Sequence, residues 1–389
     1  MGEKYQPDTI KHFAQQQLKM LRILLHWFMI SLHNINPSWF SCVMGTGILA
    51  ICIILSPVDV PFIEGLATVL WIMDVFLLIA LSSLWIVQSI RYPMRLQASL
   101  HHFANAQNWG TPPMACFTVA SGFVVIGPQL FPLSFCVLCA QFLWLGGVAG
   151  SLFSAVAVPY LMFTHHELTT EHTYGNWLLP VVPLIGAAVP GALLTPYWPR
   201  ILHQEMLVLN YVLWGIGIVL AAIVIVLFYS RLAYHKVPQG SLVTTFWMVI
   251  GPAGQSATAI MALGKAADEH LLLVGSILHK AGIAYGLVAW SFGMYWLVLA
   301  ILVTLRAVRI HLPFHLGWWA FIYPVGTLTT GTYALHERVP THLFMLGGIV
   351  LLLLLAGLWV LVSTNTVRHI LQVMSKIPYG HAYACSSLE

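Results

Sequence analysis

Proline, glycine and hydroxyl residues interrupt the centres of five of this chain's apolar spans, and those five alternate with five smoother ones. The interrupted spans carry Met44-Gly45-Thr46-Gly47, Ser121-Gly122 through Gly127-Pro128, Pro180 through Pro183 to Pro190-Gly191, Gly251-Pro252-Ala253-Gly254-Gln255-Ser256 and Pro324-Val325-Gly326-Thr327. Irregular backbone at membrane depth is tolerated only where protein or a water-filled cavity surrounds it. The alternation therefore predicts interrupted spans ringing a central path, with smooth spans outside them.

The membrane itself follows from composition. The 389 residues are 59% hydrophobic and only 7% charged, against about a quarter charged in soluble domains. Crossing a bilayer takes about 20 apolar residues. Segments of that kind begin near Pro37, Gly65, Pro112, Leu133, Trp177, His203, Leu242, Ile283, Leu316 and Thr341. The prediction is an all-α polytopic membrane protein, with ten transmembrane helices arranged as five hairpins around a central pore.

Lys and Arg favour cytoplasmic loops, and they set the orientation. With the N-terminus inside, only Arg200, Lys265, Lys280 and Arg338 of the 16 basic residues fall outside. Both termini are then cytoplasmic, in the plasma membrane or, in a bacterium, the inner membrane. Residues 1–36 read as a cytoplasmic segment on which Lys11, Gln15, Lys19, Arg22 and His26 share one helix face, opposite Phe13, Leu21, Leu24 and Phe28. Such a helix lies along a membrane surface. Residues 37–365 form the channel or transporter domain, and 366–389 a cytoplasmic tail. No secretory signal peptide is expected, and the net charge of +4 reflects topology, not a nucleic-acid partner.

The interrupted spans, so delimited, hold no Lys, Arg, Asp, Glu or His. Cation pathways and proton relays usually show acidic residues or histidines at membrane depth. An uncharged lining can instead meet an anion with hydroxyls such as Thr46, Ser121, Ser256, Thr258 and Thr327, and with positive helix ends. The expected lining residues are Gly45, Thr46, Gly47, Ser121, Gly122, Pro183, Gly251, Pro252, Gln255, Pro324 and Gly326. Asp74, on the second span, is expected to be hydrogen-bonded to a neighbouring helix or protonated, and it is the residue that would support proton coupling.

Other chemistry finds little support. Cys136-Val-Leu-Cys139 lies within an apolar helix and reads as packing. His165-His166-Glu167-Leu168-Thr169-Thr170-Glu171-His172 clusters potential ligands, yet its histidines lack the spacing that puts two on one helix face around a glutamate. No metal site or other cofactor is assigned, and a metal-handling role is a remote alternative. No nucleophile, base and orienter assemble, so the chain is not expected to be an enzyme.

Four strings carry a more specific message: Pro37-Ser38-Trp39-Phe40 followed by Val43-Met44-Gly45-Thr46-Gly47; Trp177-Leu-Leu-Pro-Val-Val-Pro183; Gly251-Pro252-Ala253-Gly254-Gln255-Ser256; and Trp318-Trp319-Ala320-Phe321-Ile322-Tyr323-Pro324. In this order, from about Pro37 to Asn365, they resemble the tellurite-resistance/dicarboxylate transporter family. That family includes bacterial TehA, plant guard-cell slow-type anion channels, fungal malic acid permeases and fungal sulfite efflux pumps. The Gly-Pro-x-Gly-Gln run is most similar to the sulfite-efflux branch. The resemblance implies ten helices in five hairpins, one pore per subunit, a homotrimer and a phenylalanine gate just before a proline on the ninth helix. Here that position matches Tyr323-Pro324, a departure from the family pattern, with Phe321 the alternative in another register. The expected function is a gated channel or transporter for a small oxyanion or C4-dicarboxylate, such as sulfite, a tellurite-like species or malate. A proton-coupled carrier using Asp74 is the alternative.

Overall fold

The structure, a computed structural model, describes residues 35–58, 62–271, 273–310 and 312–375. The basic amphipathic helix expected before Pro37 lies outside the described residues. Ten helices organise the rest: α1 (Phe40–Ile54), α2 (Ile63–Arg91), α3 (Thr111–Val125), α4 (Leu133–His165), α5 (Pro183–Leu194), α6 (His203–His235), α7 (Ile250–His270), α8 (Gly275–Ile310), α9 (Ile322–Arg338) and α10 (His342–Ser375). Two short helices, Pro93–His101 and Phe103–Ala106, link α2 to α3. Among the described residues there is no strand.

Among the described residues, seven helical segments are long and apolar enough to cross a membrane. The sequence predicts ten spans, and the difference lies in α3, α5 and α9, which are 15, 12 and 17 residues long. α3 and α9 continue tighter 3-10 segments, Gln107–Gly110 and Leu316–Phe321, and α5 follows the 3-10 segment Gly175–Leu178 after a turn at 179–182. Pro37–Trp39 and Gly240–Val249 precede α1 and α7 in the same way.

The expected central breaks are therefore displaced. α1 runs unbroken through Gly45–Gly47, α7 through Gly251–Gln255 and α9 through Pro324–Gly326. Pro112, Pro183, Pro252 and Pro324 instead occupy the first α-turn. Backbone N–H groups at a helix start have the fewest helical acceptors, so proline costs least there. Pro190 is the exception, inside α5.

Two layers follow. The most apolar windows of the segments containing α1 and α7 are 72% and 83% buried, whereas those of α2, α4, α6, α8 and α10 are only 22–39% buried. α3, α5 and α9 are also mostly buried. α1 packs on α3, α3 on α5, α5 on α7, α7 on α9, and α9 back on α1, closing a ring. Each even-numbered helix packs outside the odd-numbered helix before it. Indole N–H groups tie the layers: Trp144 (α4) donates to the Ala187 carbonyl at 2.9 Å, Trp290 (α8) to Thr332 Oγ1 at 2.8 Å and Trp359 (α10) to Thr46 Oγ1 at 3.1 Å. Such bonds satisfy a polar atom while the ring fills apolar space.

Close approach within the ring depends on small residues. An added Cβ at Gly254 would overlap the backbone of Thr327 and Leu328 on α9, and backbone cannot swing aside; Gly215, on the outer face of α6, has open space. Gly254→Ala should therefore cost about 1–3 kcal/mol by overpacking and Gly215→Ala almost nothing, as measured by thermal unfolding in detergent. Equal melting temperatures for the two variants would contradict the tight α7–α9 contact.

Candidate functional site

The ring encloses two cavities. The wider, about 580 Å³, is lined from all five inner helices, including Ile48, Phe117, Thr118, Ser121, Gly186, Gln255, Thr258, Thr327 and Thr330. It extends to the ends of those helices at Leu55, Val125, Leu193, Glu269 and Arg338. The smaller, about 100 Å³, lies at the other end, among Met44, Thr111, Met114, Pro183, Gly251, Pro252 and Pro324. Tyr323 lines both cavities.

Tyr323 stands in the first turn of α9 and is 8% exposed. Its hydroxyl accepts a hydrogen bond from Gln255 Nε2 at 3.1 Å and donates to Met114 Sδ at 3.3 Å. Residues of α3, α7 and α9 thus meet at the phenol. Gly186 completes the constriction, because a side chain there would strike Met114 Sδ and Gln255 Nε2. A buried tyrosine hydroxyl normally needs such partners, and they hold the ring at the junction of the two spaces.

The small cavity is bordered by the beginnings of helices. Thr111 opens α3, Pro183 opens α5, Gly251 and Pro252 lie in the first turn of α7, and Tyr323 and Pro324 in that of α9. The α-segments point the positive ends of their dipoles toward this side of the ring, although Thr111, Ile250 and Ile322 already donate their N–H groups to carbonyls of the preceding 3-10 segments, so the field mildly favours an anion without any charged side chain. The sequence expectation placed positive helix ends after mid-span breaks; here the helix starts follow 3-10 segments or turns instead.

Hydroxyls on the wide cavity's wall are already engaged. Ser121 donates to the Phe117 carbonyl at 2.9 Å, Thr118 to that of Met114 at 3.0 Å and Thr327 to that of Pro324 at 2.8 Å, while Thr258 and Thr330 meet at 2.9 Å. A hydroxyl must turn away from its carbonyl to donate to a solute, giving up a bond worth about 0.5–1.5 kcal/mol. The wall can hold an anion only loosely.

The structure divides the expected lining residues. Ser121, Pro183, Gly251, Pro252, Gln255, Tyr323 and Pro324 border a cavity. Gly45, Thr46, Gly47, Gly122 and Gly326 border neither. They are sockets between helices: Gly45 receives Trp319, Gly47 receives Asp74, Gly122 receives Trp71 and Gly326 receives Ile48, while Thr46 accepts from Trp359. Phe321 also borders neither cavity and packs its ring against Trp247 and Trp318. Sequence reasoning did not single out Met114, Thr118 and Gly186. The one available signal was Pro190, four residues after Gly186, which deprives the Gly186 carbonyl of its usual helix partner.

Asp74 is fully buried on α2 and its carboxyl oxygens have no hydrogen-bond partner. The expected hydrogen bond to a neighbouring helix is absent; the side chain fills the Gly47 notch beside the Thr118 methyl. Neither cavity includes it.

Glu171 and His172 of the 165–172 loop are engaged with imidazole and hydroxyl neighbours. Glu171 pairs with His235 at 3.4 Å, Thr170 Oγ1 lies 2.9 Å from His235 Nε2, and His172 Nδ1 lies 2.9 Å from Thr169 Oγ1. Among the described residues no group of three or more His, Cys, Asp or Glu could hold a metal ion.

Comparison with known proteins decides the family. The family model described as voltage-dependent anion channel, SLAC1, matches residues 34–367. The chain belongs to the SLAC1 family. A sulfite efflux pump from Arthroderma otae is 30% identical over 347 residues, covering 87% of this chain and 91% of that protein. A malic acid transport protein from Schizosaccharomyces pombe is 23% identical over 358 residues, covering 87% and 78%. An uncharacterized transporter from Methanocaldococcus jannaschii is 26% identical over 341 residues, covering 87% and 95%. This SLAC1-family chain is accordingly a multi-pass membrane protein of an anion transporter and channel family.

One consequence concerns Asp74. A charged aspartate at membrane depth costs about 2.5–3.5 kcal/mol on insertion scales, and no cation pairs with Asp74 among the described residues. Asp74→Asn keeps the shape without the possibility of charge, so its melting temperature in detergent should equal or exceed the wild type's. A drop of the size expected from breaking a buried ion pair, about 3–5 kcal/mol, would show a partner that the fold does not contain.

Proposed function

We propose that the chain passes a small oxyanion, sulfite-like or tellurite-like, along the axis of the ring, with the Tyr323 ring as its gate. The observation that carries this reading is the convergence of four helix starts on a cavity of about 100 Å³, divided by one aromatic ring from a cavity of about 580 Å³. Positive helix ends supply attraction and the loosely binding hydroxyl wall lets the ion leave, as conduction requires. The resemblance to sulfite efflux pumps at 30% identity and the small cavity both favour a compact inorganic oxyanion over a C4-dicarboxylate such as malate.

The architecture that goes with this proposal is ten membrane-crossing helices in five hairpins, with each inner helix completing its crossing through its 3-10 segment. The subunit associates as a homotrimer with one pore each. It lies in the plasma membrane, or a bacterial inner membrane, with both termini cytoplasmic. Domain limits are 1–36, 37–365 and 366–389, although α10 continues to Ser375. The wide cavity then opens outward, because α1 begins inside and the wide mouth lies at the ends of the inner helices.

The ring is held by its hydroxyl as well as by packing, so a small side chain should open the constriction. Tyr323→Ala should raise sulfite and nitrate flux into proteoliposomes several-fold, and Tyr323→Phe, which loses only the Gln255 and Met114 bonds, should fall between. Wild-type flux in both variants would remove the gate assignment.

A second reading, proton-coupled transport, draws support from a buried Asp74 without a hydrogen-bond partner. In it Asp74 exchanges a proton behind the Thr118 wall. Uptake by Asp74→Asn that keeps its full dependence on a pH gradient would eliminate this reading.

A further inference from the structure

Inner helices present their carbonyl ends at the mouth of the wide cavity, so an entering anion meets the negative ends of their dipoles. Something must offset that field. The sequence places no charge in the interrupted spans, but α7 and α9 run beyond those apolar limits and bring Lys265, Glu269, His336, Glu337 and Arg338 to the cavity.

Arg338 differs from its neighbours. Its side chain is 10% exposed, against 62% for Glu337 and 58% for Lys265. One guanidinium nitrogen donates to the Ala334 carbonyl at 2.9 Å and to Glu337 Oε2 at 3.2 Å, and the other donates to the Met261 carbonyl of α7 at 3.3 Å. The guanidinium is thereby fixed across the α7–α9 junction, on a carbonyl of α9's last turn and one from the middle of α7. Its Nε, and Nδ1 of His336, are buried without partners. Its carboxylate neighbour, Glu337, is exposed, screened by solvent and shared with Lys265 at 3.6 Å. Glu269, the other carboxylate at the cavity, is exposed and forms no ion pair with Arg338, so a nearly buried cation with weak counter-ions leaves positive potential around the guanidinium.

We infer that Arg338 forms an entry site for small oxyanions at the wide mouth, with His336 beside it, and that Glu337 tunes the site's strength. The site lies far along the wall from Tyr323, so it sets how readily the cavity fills and not how fast the constriction conducts. This inference rests on the proposed anion conduction.

The test is nitrate influx into proteoliposomes as a function of nitrate concentration, at low and at high ionic strength set with an impermeant salt. Arg338→Gln should raise the half-saturating concentration several-fold and leave the maximal flux within about two-fold. Glu337→Gln, which removes the competing carboxylate, should lower it, and both shifts should shrink as salt screens the charges. Should Arg338→Gln fail to fold, Glu337→Gln decides alone. An unchanged or raised half-saturation in Glu337→Gln, or an unchanged one in a folded Arg338→Gln, overturns the entry site. A wild type that carries no nitrate or sulfite would instead overturn the conduction on which it rests.

Discussion

A backbone amide in hydrocarbon must find a hydrogen-bond partner inside the protein, and the rest of this structure depends on how the inner helices meet that demand. They gather most of their irregular backbone into 3-10 segments at one end and, Pro190 apart, place their α-helical prolines in the first turn, where helix amides have fewest partners to lose. The remaining turns are continuous helix. Five long helices then cover them, so that irregular segments face protein while regular ones face outward. The same arrangement brings helix starts together around a small space. A site that favours anions is thus a by-product of satisfying the backbone.

Much of this was legible in the sequence. Hydropathy placed apolar segments on each of the ten helices α1 to α10, because long apolar runs have few alternatives, although among the described residues seven helical segments are long and apolar enough to cross a membrane and the segment expected near Ile283 begins at Gly275. The Trp318–Pro324 string pointed to Tyr323, and the glycine and proline runs of α5 and α7 pointed to Pro183, Gly251, Pro252 and Gln255. What could not be read was the direction a small residue faces. Gly47 and Gly251 look alike in sequence, yet one receives Asp74 and the other borders a cavity. Helix rotation makes the difference, and in uniformly apolar helices no polar stripe reports that rotation. The mouth was missed for another reason: an apolar-span search stops at the first charge, whereas α7 continues to His270 and α9 to Arg338.

Electrostatics grades along the axis. Among the residues lining the two cavities, charged side chains stand only at the wide mouth, hydroxyls occupied with their own helices line the middle, and helix starts surround the narrow end. None of these creates a deep well. A lysine or arginine at the constriction would bind an anion tightly and slow its release, so an uncharged wall is consistent with passage, not storage. Asp74, the buried exception, is kept behind the wall by the Gly47 notch, where its carboxyl meets neither cavity.

The central claim is that Tyr323 separates two spaces on one continuous axis. The most direct measurement is thiol labelling from either side of the membrane, in a background without native cysteines, of single cysteines at Thr330, in the wide cavity, and at Met248, in the narrow one. A small membrane-impermeant reagent applied at the wide mouth should modify Thr330→Cys and spare Met248→Cys, and it should reach Met248→Cys once Tyr323 is replaced by alanine. Protection of Met248→Cys with alanine at 323, or labelling of Met248→Cys from that side with Tyr323 intact, would contradict the account.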